Sequence, residues 1–309
     1  MTNNAHDDAP DSLTFIGTAT TVLRLGGFTL LTDPNFLHRG QRAYLGYGLT
    51  SKRLTEPALQ PDELPPLDAV LLSHLHGDHF DRVAKRGLPK DLPVVTTPEA
   101  ARKLGRWGFQ RCTALRTWQE QVFERGTERL RVTAVPAVHG PGLVDRLLPQ
   151  VMGSVVELEQ AGMVTLRLYI TGDTLYREQL GEIRRRFPDV DVMVAHLGGT
   201  RILGVSLTMD GRQGADLVRL VQPRMTVPVH TDDYTVFRSP LSDFFAEVAQ
   251  REVPSEIRTV ARGERMAPGV ARQPSHSTGV KPRDKIMGWW TPVPACLSSA
   301  WWAPGSWPG

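Results

Sequence analysis

One short stretch limits what this chain can become: residues 68–81, DAVLLSHLHGDHFD. The apolar run Ala69-Val70-Leu71-Leu72 reads as a buried strand, and it stops abruptly in a loop that carries three histidines and two aspartates within eight positions. His74 and His76 are two apart, so in extended backbone their side chains leave on the same side and both imidazoles can reach one metal ion. Gly77 permits a sharp turn that aims Asp78 and His79 at a point beside the first. One loop can thus begin two adjacent metal sites, and HxHxDH at the end of an apolar strand is a specific signal for that chemistry.

The rest of the chain repeats the design. Residues 21–25 and 28–31 flank Gly26-Gly27, the two-residue turn of a hairpin, and Asp33 stands just past its end. The strand at 130–138 runs to His139, and a hairpin of residues 151–159 and 164–170 runs to Asp173. Residues 175–187 have helical spacing, residues 190–195 form an apolar strand into His196, and a helix over 210–221 precedes a strand that ends at His230. Residues 93–97 read as a strand, with Thr97 capping a helix that starts at Pro98. Apolar strands that keep delivering His or Asp at their C-terminal ends place those groups along one edge of packed sheets. The pattern predicts mixed α/β structure with two sheets.

The metal loop, together with IGTATTVLRLGGFTLLTDP near the start, resembles the metallo-β-lactamase-fold hydrolases. The nearer resemblance is to the branch that holds ascorbate-6-phosphate lactonases and N-acyl-phosphatidylethanolamine phospholipase D. It covers roughly residues 12–262 and implies a four-layer αββα sandwich. It also implies that His74, His76 and His139 bind a first metal, that Asp78, His79 and His230 bind a second, and that Asp173 bridges them. Asp33 would support the metal loop. The bland readings stay open: Asp173 as a turn or helix cap, Asp232 or Asp233 in place of His230, His196 as a substrate contact or a buried histidine. The branch commonly has His where this chain has Thr18, in GTAT.

Five neutral imidazoles with two carboxylates suit zinc, with manganese and iron as alternatives. Two such ions about 3.5–4 Å apart can carry a hydroxide at neutral pH, with Asp78 orienting it or taking its proton. The expectation is therefore a dinuclear metal-dependent hydrolase of an ester, lactone or phosphodiester. The alternatives are a metal-stabilised binding module without turnover, or a nuclease of the same fold. A flavodiiron-type redox role is disfavoured, because those proteins place Glu where His76 stands. The loop at 36–65 carries Arg39, Arg42, Lys52 and Arg53 beside Tyr44 and Tyr47, and as a flap it would favour an anionic, phosphate-bearing small molecule.

Composition narrows the setting. Lys+Arg 36 against Asp+Glu 33 gives a net charge of +3, with no basic, aromatic arm for nucleic acid. Cys112 and Cys296 are the only cysteines, so there is no disulfide framework. The first residues lack a signal-peptide pattern and no apolar run is long enough to span a membrane, so a cytoplasmic setting is expected. Residues 263–309 hold five of the chain's seven tryptophans among many prolines, which predicts a disordered tail. The oligomeric state is not legible.

Overall fold

The computed structural model describes residues 11–269 with the exception of Leu203. The expectation of a disordered tail therefore falls mostly outside the described residues, as does the lead-in at 1–10. The chain opens as an antiparallel meander of β1 (Ser12–Gly17), β2 (Thr20–Leu25) and β3 (Phe28–Thr32), turning at Gly26-Gly27 as expected. A hairpin of β4 (Arg42–Gly46) and β5 (Leu49–Lys52) follows. Next come β6 (Ala69–Leu71), α1 (Arg82–Gly87), β7 (Val94–Thr96), α2 (Pro98–Arg106) and β8 (Cys112–Ala114). Here β3, β6, β7 and β8 pair in parallel, as strands joined by long crossovers do.

The second half repeats the plan. β9 (Glu120–Arg125), β10 (Glu128–Val135), β11 (Gly153–Gln160) and β12 (Met163–Ile170) are antiparallel. α3 (Gly181–Arg186) leads to β13 (Val192–His196), and a small hairpin follows, β14 (Arg201–Ile202) with β15 (Val205–Ser206). α4 (Gly211–Val221) leads to β16 (Met225–Val229), and α5 (Leu241–Gln250) to β17 (Glu256–Ile257). β12, β13, β16 and β17 are parallel. β18 (Arg265–Met266) then crosses back to pair with β1. The result is two seven-stranded sheets, ordered β18-β1-β2-β3-β6-β7-β8 and β17-β16-β13-β12-β11-β10-β9.

Alternation along the strands explains the layers, since successive side chains leave on opposite faces. Leu23, Leu30, Leu168 and Val194 meet in a core between the sheets. Val22, Leu31 and Val70 face Ala84 of α1 and Leu104 of α2, while Tyr169 and Met193 face Ile183 of α3, Leu217 of α4 and Phe244 of α5. This is the four-layer αββα sandwich of the metallo-β-lactamase fold.

Three local expectations change. The sheet runs past residue 262, because Met266 is buried opposite Leu13; a two-residue strand is too short to show periodicity. Residues 175–177 are not helical. Leu175 donates its N–H to the carbonyl of Val138 and Tyr176 donates to Gln213 Oε1, so the helix begins only after a 3-10 turn at Glu178–Leu180. The loop at 36–65 contains the β4–β5 hairpin, and its Arg53 is fully buried, so that residue cannot face an incoming molecule.

Candidate metal centre

Each sequence-predicted site residue stands at or just past the C-terminal end of a strand. Asp33 follows β3, His74 to His79 follow β6, His139 follows β10, Asp173 follows β12, His196 ends β13 and His230 follows β16. All of these ends meet along one edge of the sandwich, where parallel strands leave their crevice. Gly77 has a different reason from the one its sequence context suggests. A Cβ there would lie 2.6 Å from the nitrogen and 2.7 Å from the oxygen of Tyr44, and Gly77 N–H donates to that same oxygen at 2.9 Å. Close backbone approach, not a positive φ, requires glycine.

Two groups of donor atoms converge. In the first, His74 Nε2 and His139 Nε2 lie 3.0 and 3.1 Å from His76 Nδ1. In the second, His79 Nε2 lies 3.1 Å from His230 Nε2 and 3.3 Å from Asp173 Oδ1, while Asp78 Oδ2 is 3.4 Å from His230 Nε2. Asp173 also groups with His74 and His79, with donor atoms within 4.8 Å of one another, and so stands between the two sets. All seven residues are buried.

The proton inventory tests whether a cation fits. Ser73 Oγ, 2.8 Å from Asp33 Oδ2, has one proton and gives it to that carboxylate, so it accepts from His74 Nδ1 at 3.0 Å. His79 Nδ1 donates to Asp33 Oδ2 at 3.0 Å, and His139 Nδ1 donates to the carbonyl of Leu207 at 3.1 Å. The Nε2 atoms of His74 and His139 are therefore lone pairs pointing inward; against its burial, Asp173 and Asp33 raise His79 well above its ordinary range, so a cation bound there would displace its Nε2 proton. His76 Nδ1 can offer a proton to only one of its two facing lone pairs. Asp78 Oδ1 and Asp173 Oδ1 are buried with no hydrogen-bond partner. Inward lone pairs with orphaned carboxylate oxygens form a cation cradle, since such groups are costly to bury uncompensated.

Electrostatics keep two of the histidines neutral. Burial, then the neighbouring imidazoles, push His74 well below its ordinary range and His76 down to about 3, which keeps both in the neutral, coordinating form. Burial also opposes charge on Asp33 and Asp173. For Asp33, His79 and His196 outweigh it and hold the carboxyl at about 2; for Asp173, His230 and His79 hold it well below the carboxylate range.

Residues 29–231 match the beta-lactamase superfamily domain, a span that contains every candidate site residue. The chain belongs to the beta-lactamase superfamily. Within this superfamily it is 30% identical over 224 residues to a UPF0173 metal-dependent hydrolase of Anaeromyxobacter dehalogenans strain 2CP-1, covering 70% of this chain and 72% of the relative. It is 28% identical over 246 residues to the UPF0173 protein YddR of Bacillus subtilis strain 168, covering 76% of this chain and 92% of the relative. The crystal structure of isothiocyanate hydrolase from Delia radicum gut bacteria shares the fold, with a TM-score of 0.70 at 22% identity over 84% of this chain and 100% of that one.

Around the donors of this superfamily member stand residues that support or flank them. Asp33 also accepts the N–H of Ser73 at 2.7 Å, so one carboxylate holds both the metal loop and His79. His196 is fully buried, stacked on His79 with ring centroids 5.9 Å apart. Its Nε2 lies 3.6 Å from Asp33 Oδ2, beyond hydrogen-bonding distance, which places it beside the support and away from any entrance. Asp233 is engaged by Thr18 N–H at 2.8 Å and by Arg262, and Asp232 by Arg262, so neither joins the donor groups. Asp81 caps α1 through Val83 and Ala84 and also accepts from Phe36 and Leu37. The signals for Ser73 and Asp81 lay in the motif itself, SHLHGDHFD. For Thr18 and Arg53 the sequence offers none, because their roles depend on contacts across the fold.

Proposed function

We propose that this chain is a hydrolase that works with two divalent metal ions. His74, His76 and His139 hold one, Asp78, His79 and His230 hold the other, and Asp173 lies between them. The observation that carries this reading is the convergence of inward lone pairs and orphaned carboxylate oxygens at one sheet edge. The relatives that bear the name metal-dependent hydrolase support it. Zinc suits the imidazole-rich set.

Such a metal pair, when bound, acidifies a water into a nucleophile near neutral pH and draws charge from the oxygen of the scissile group. The chain's own residues then have defined tasks. Asp33 and Ser73 fix the tautomers of His79 and His74, the kind of outer support that sets ligand orientation. Thr208 Oγ1 donates to Asp173 Oδ2 at 2.9 Å, which turns Oδ1 towards His79 and His230. Asp78 Oδ1, buried and without a partner, is the group placed to accept a proton from the nucleophile. No Ser or Cys nucleophile is required. The substrate is a small ester, lactone or phosphodiester, and an anionic one is favoured by the basic residues around the hairpin.

Elemental analysis of reconstituted protein should give close to two ions per chain, and His76→Ala should lose metal and stability together. A panel of lactones and phosphodiesters, run with defined metals, tests turnover. One ion or fewer in the parent protein would overturn the dinuclear reading.

A further inference from the structure

His76 differs from the other centre histidines in one respect. It is 8% exposed, while His74, His79, His139, His196 and His230 are at 0–1%. The exposed part of His76 lines a groove of about 380 Å³ between the β4–β5 hairpin, the metal loop, α1 and α2. That volume lies in the small-molecule range. Leu37, Leu75, Phe80 and Trp107 give it apolar walls.

Four cations, Arg42, Arg82, Lys85 and Lys103, line the same groove. None of them has an acidic partner within 4.0 Å among the described residues. The one carboxylate in the lining, Asp81, is occupied by the main-chain N–H groups of Phe36, Leu37, Val83 and Ala84. Lys85 Nζ sits 4.2 Å and Lys103 Nζ 5.9 Å from the Trp107 ring centroid, so the indole gathers two of the charges at one end. An unneutralised cationic rim over apolar walls is complementary to a molecule with an apolar body and an anionic end.

We infer that this groove seats the non-reacting part of the substrate and selects a small organic anion with an apolar body. The inference rests on the hydrolase reading, and it assigns Arg82, Lys103 and Trp107, which stand outside the metal centre, to substrate recognition. Holding the anionic end here brings the rest of the molecule to His76, where positioning lowers the barrier to reaction.

The test is a calorimetric titration of the metal-loaded full chain with benzenesulfonate, a poor metal ligand that hydrolysis cannot consume, and with neutral benzamide. Benzenesulfonate should bind about tenfold more tightly at low salt, and the advantage should shrink as salt is raised. Arg82→Gln combined with Lys103→Gln should erase the advantage and leave metal content and benzamide binding unchanged. Equal affinity of the two ligands in the parent, or an advantage that survives in the double variant, would overturn the inference. On aryl esters with and without a sulfonate, the double variant should raise KM for the charged ester about tenfold and leave kcat in place. Absence of turnover on every ester would count against the hydrolase reading alone, since the titration decides the groove without it.

Discussion

The main-chain N–H of His230 donates to the carbonyl of Thr18 at 2.7 Å, and the N–H of Thr18 donates in turn to Asp233 Oδ2 at 2.8 Å. Both His230 and Thr18 have positive φ, 62° and 56°, so each is held in an uncommon conformation by this chain of bonds. The chain thus uses a threonine backbone to seat a candidate ligand. Asp233 is itself paired with the fully buried Arg53, whose Nη2 lies 3.7 Å from Oδ1. Asp233→Ala should therefore cost about 3–5 kcal/mol, because it strands a buried guanidinium. Urea unfolding of the metal-free protein measures this, and a loss below about 1 kcal/mol would show that the pair does not hold the site.

Gly77→Ala puts a methyl group against backbone atoms of Tyr44 that cannot rotate away. The expected cost is about 1–3 kcal/mol, with weaker metal uptake because the motif must shift from the hairpin. Thermal melts paired with metal titration check it; an unchanged melting temperature would contradict the geometry.

Asp78→Asn should lower turnover about a hundredfold or more while changing metal-free stability little. The amide fills the same space but is a weak ligand and cannot accept a proton near neutral pH. A variant with parental turnover would remove Asp78 from the chemistry.

Acid should unfold the metal-free protein earlier than its carboxylates alone predict. Burial and the nearby His139 push His76 from its ordinary 6.5 to about 3. Between those values the unfolded chain takes a proton that the folded chain refuses, so stability falls as pH drops from 6.5 towards 3. His74, also lowered, acts in the same direction. His79 is raised by Asp173 and Asp33 despite its burial; below 6.5 it is protonated in both states and adds no slope there. Melting temperatures of the chelated protein across this range, compared with His76→Gln, isolate the effect. Parallel curves for the two proteins would refute it.

Much of the site was legible because strands announce themselves by apolar runs and the donors sit where those runs stop. The turn at Gly26-Gly27, the Thr97 cap on α2 and the delivery of Asp173 and His230 all follow from local pattern. What escaped was decided over distance. The start of α3 is set by Val138 and Gln213, and Arg53 looks like a surface cation until Asp233, far along the chain, comes to meet it. β9 and α5 went unread, the first because its burial is only partial and the second because just one of its residues, Phe244, is fully packed.

The donors divide between the two halves of the sandwich. Asp33, His74, His76, Asp78 and His79 come from the first sheet, and His139, Asp173, His196 and His230 from the second. Each of the two donor groups draws on both. Any ion seated there is a clasp across the seam, and neither half owns a complete set. Metal capture then waits for the second half, since a nascent chain that has made only β1 to β8 offers an ion an open hand.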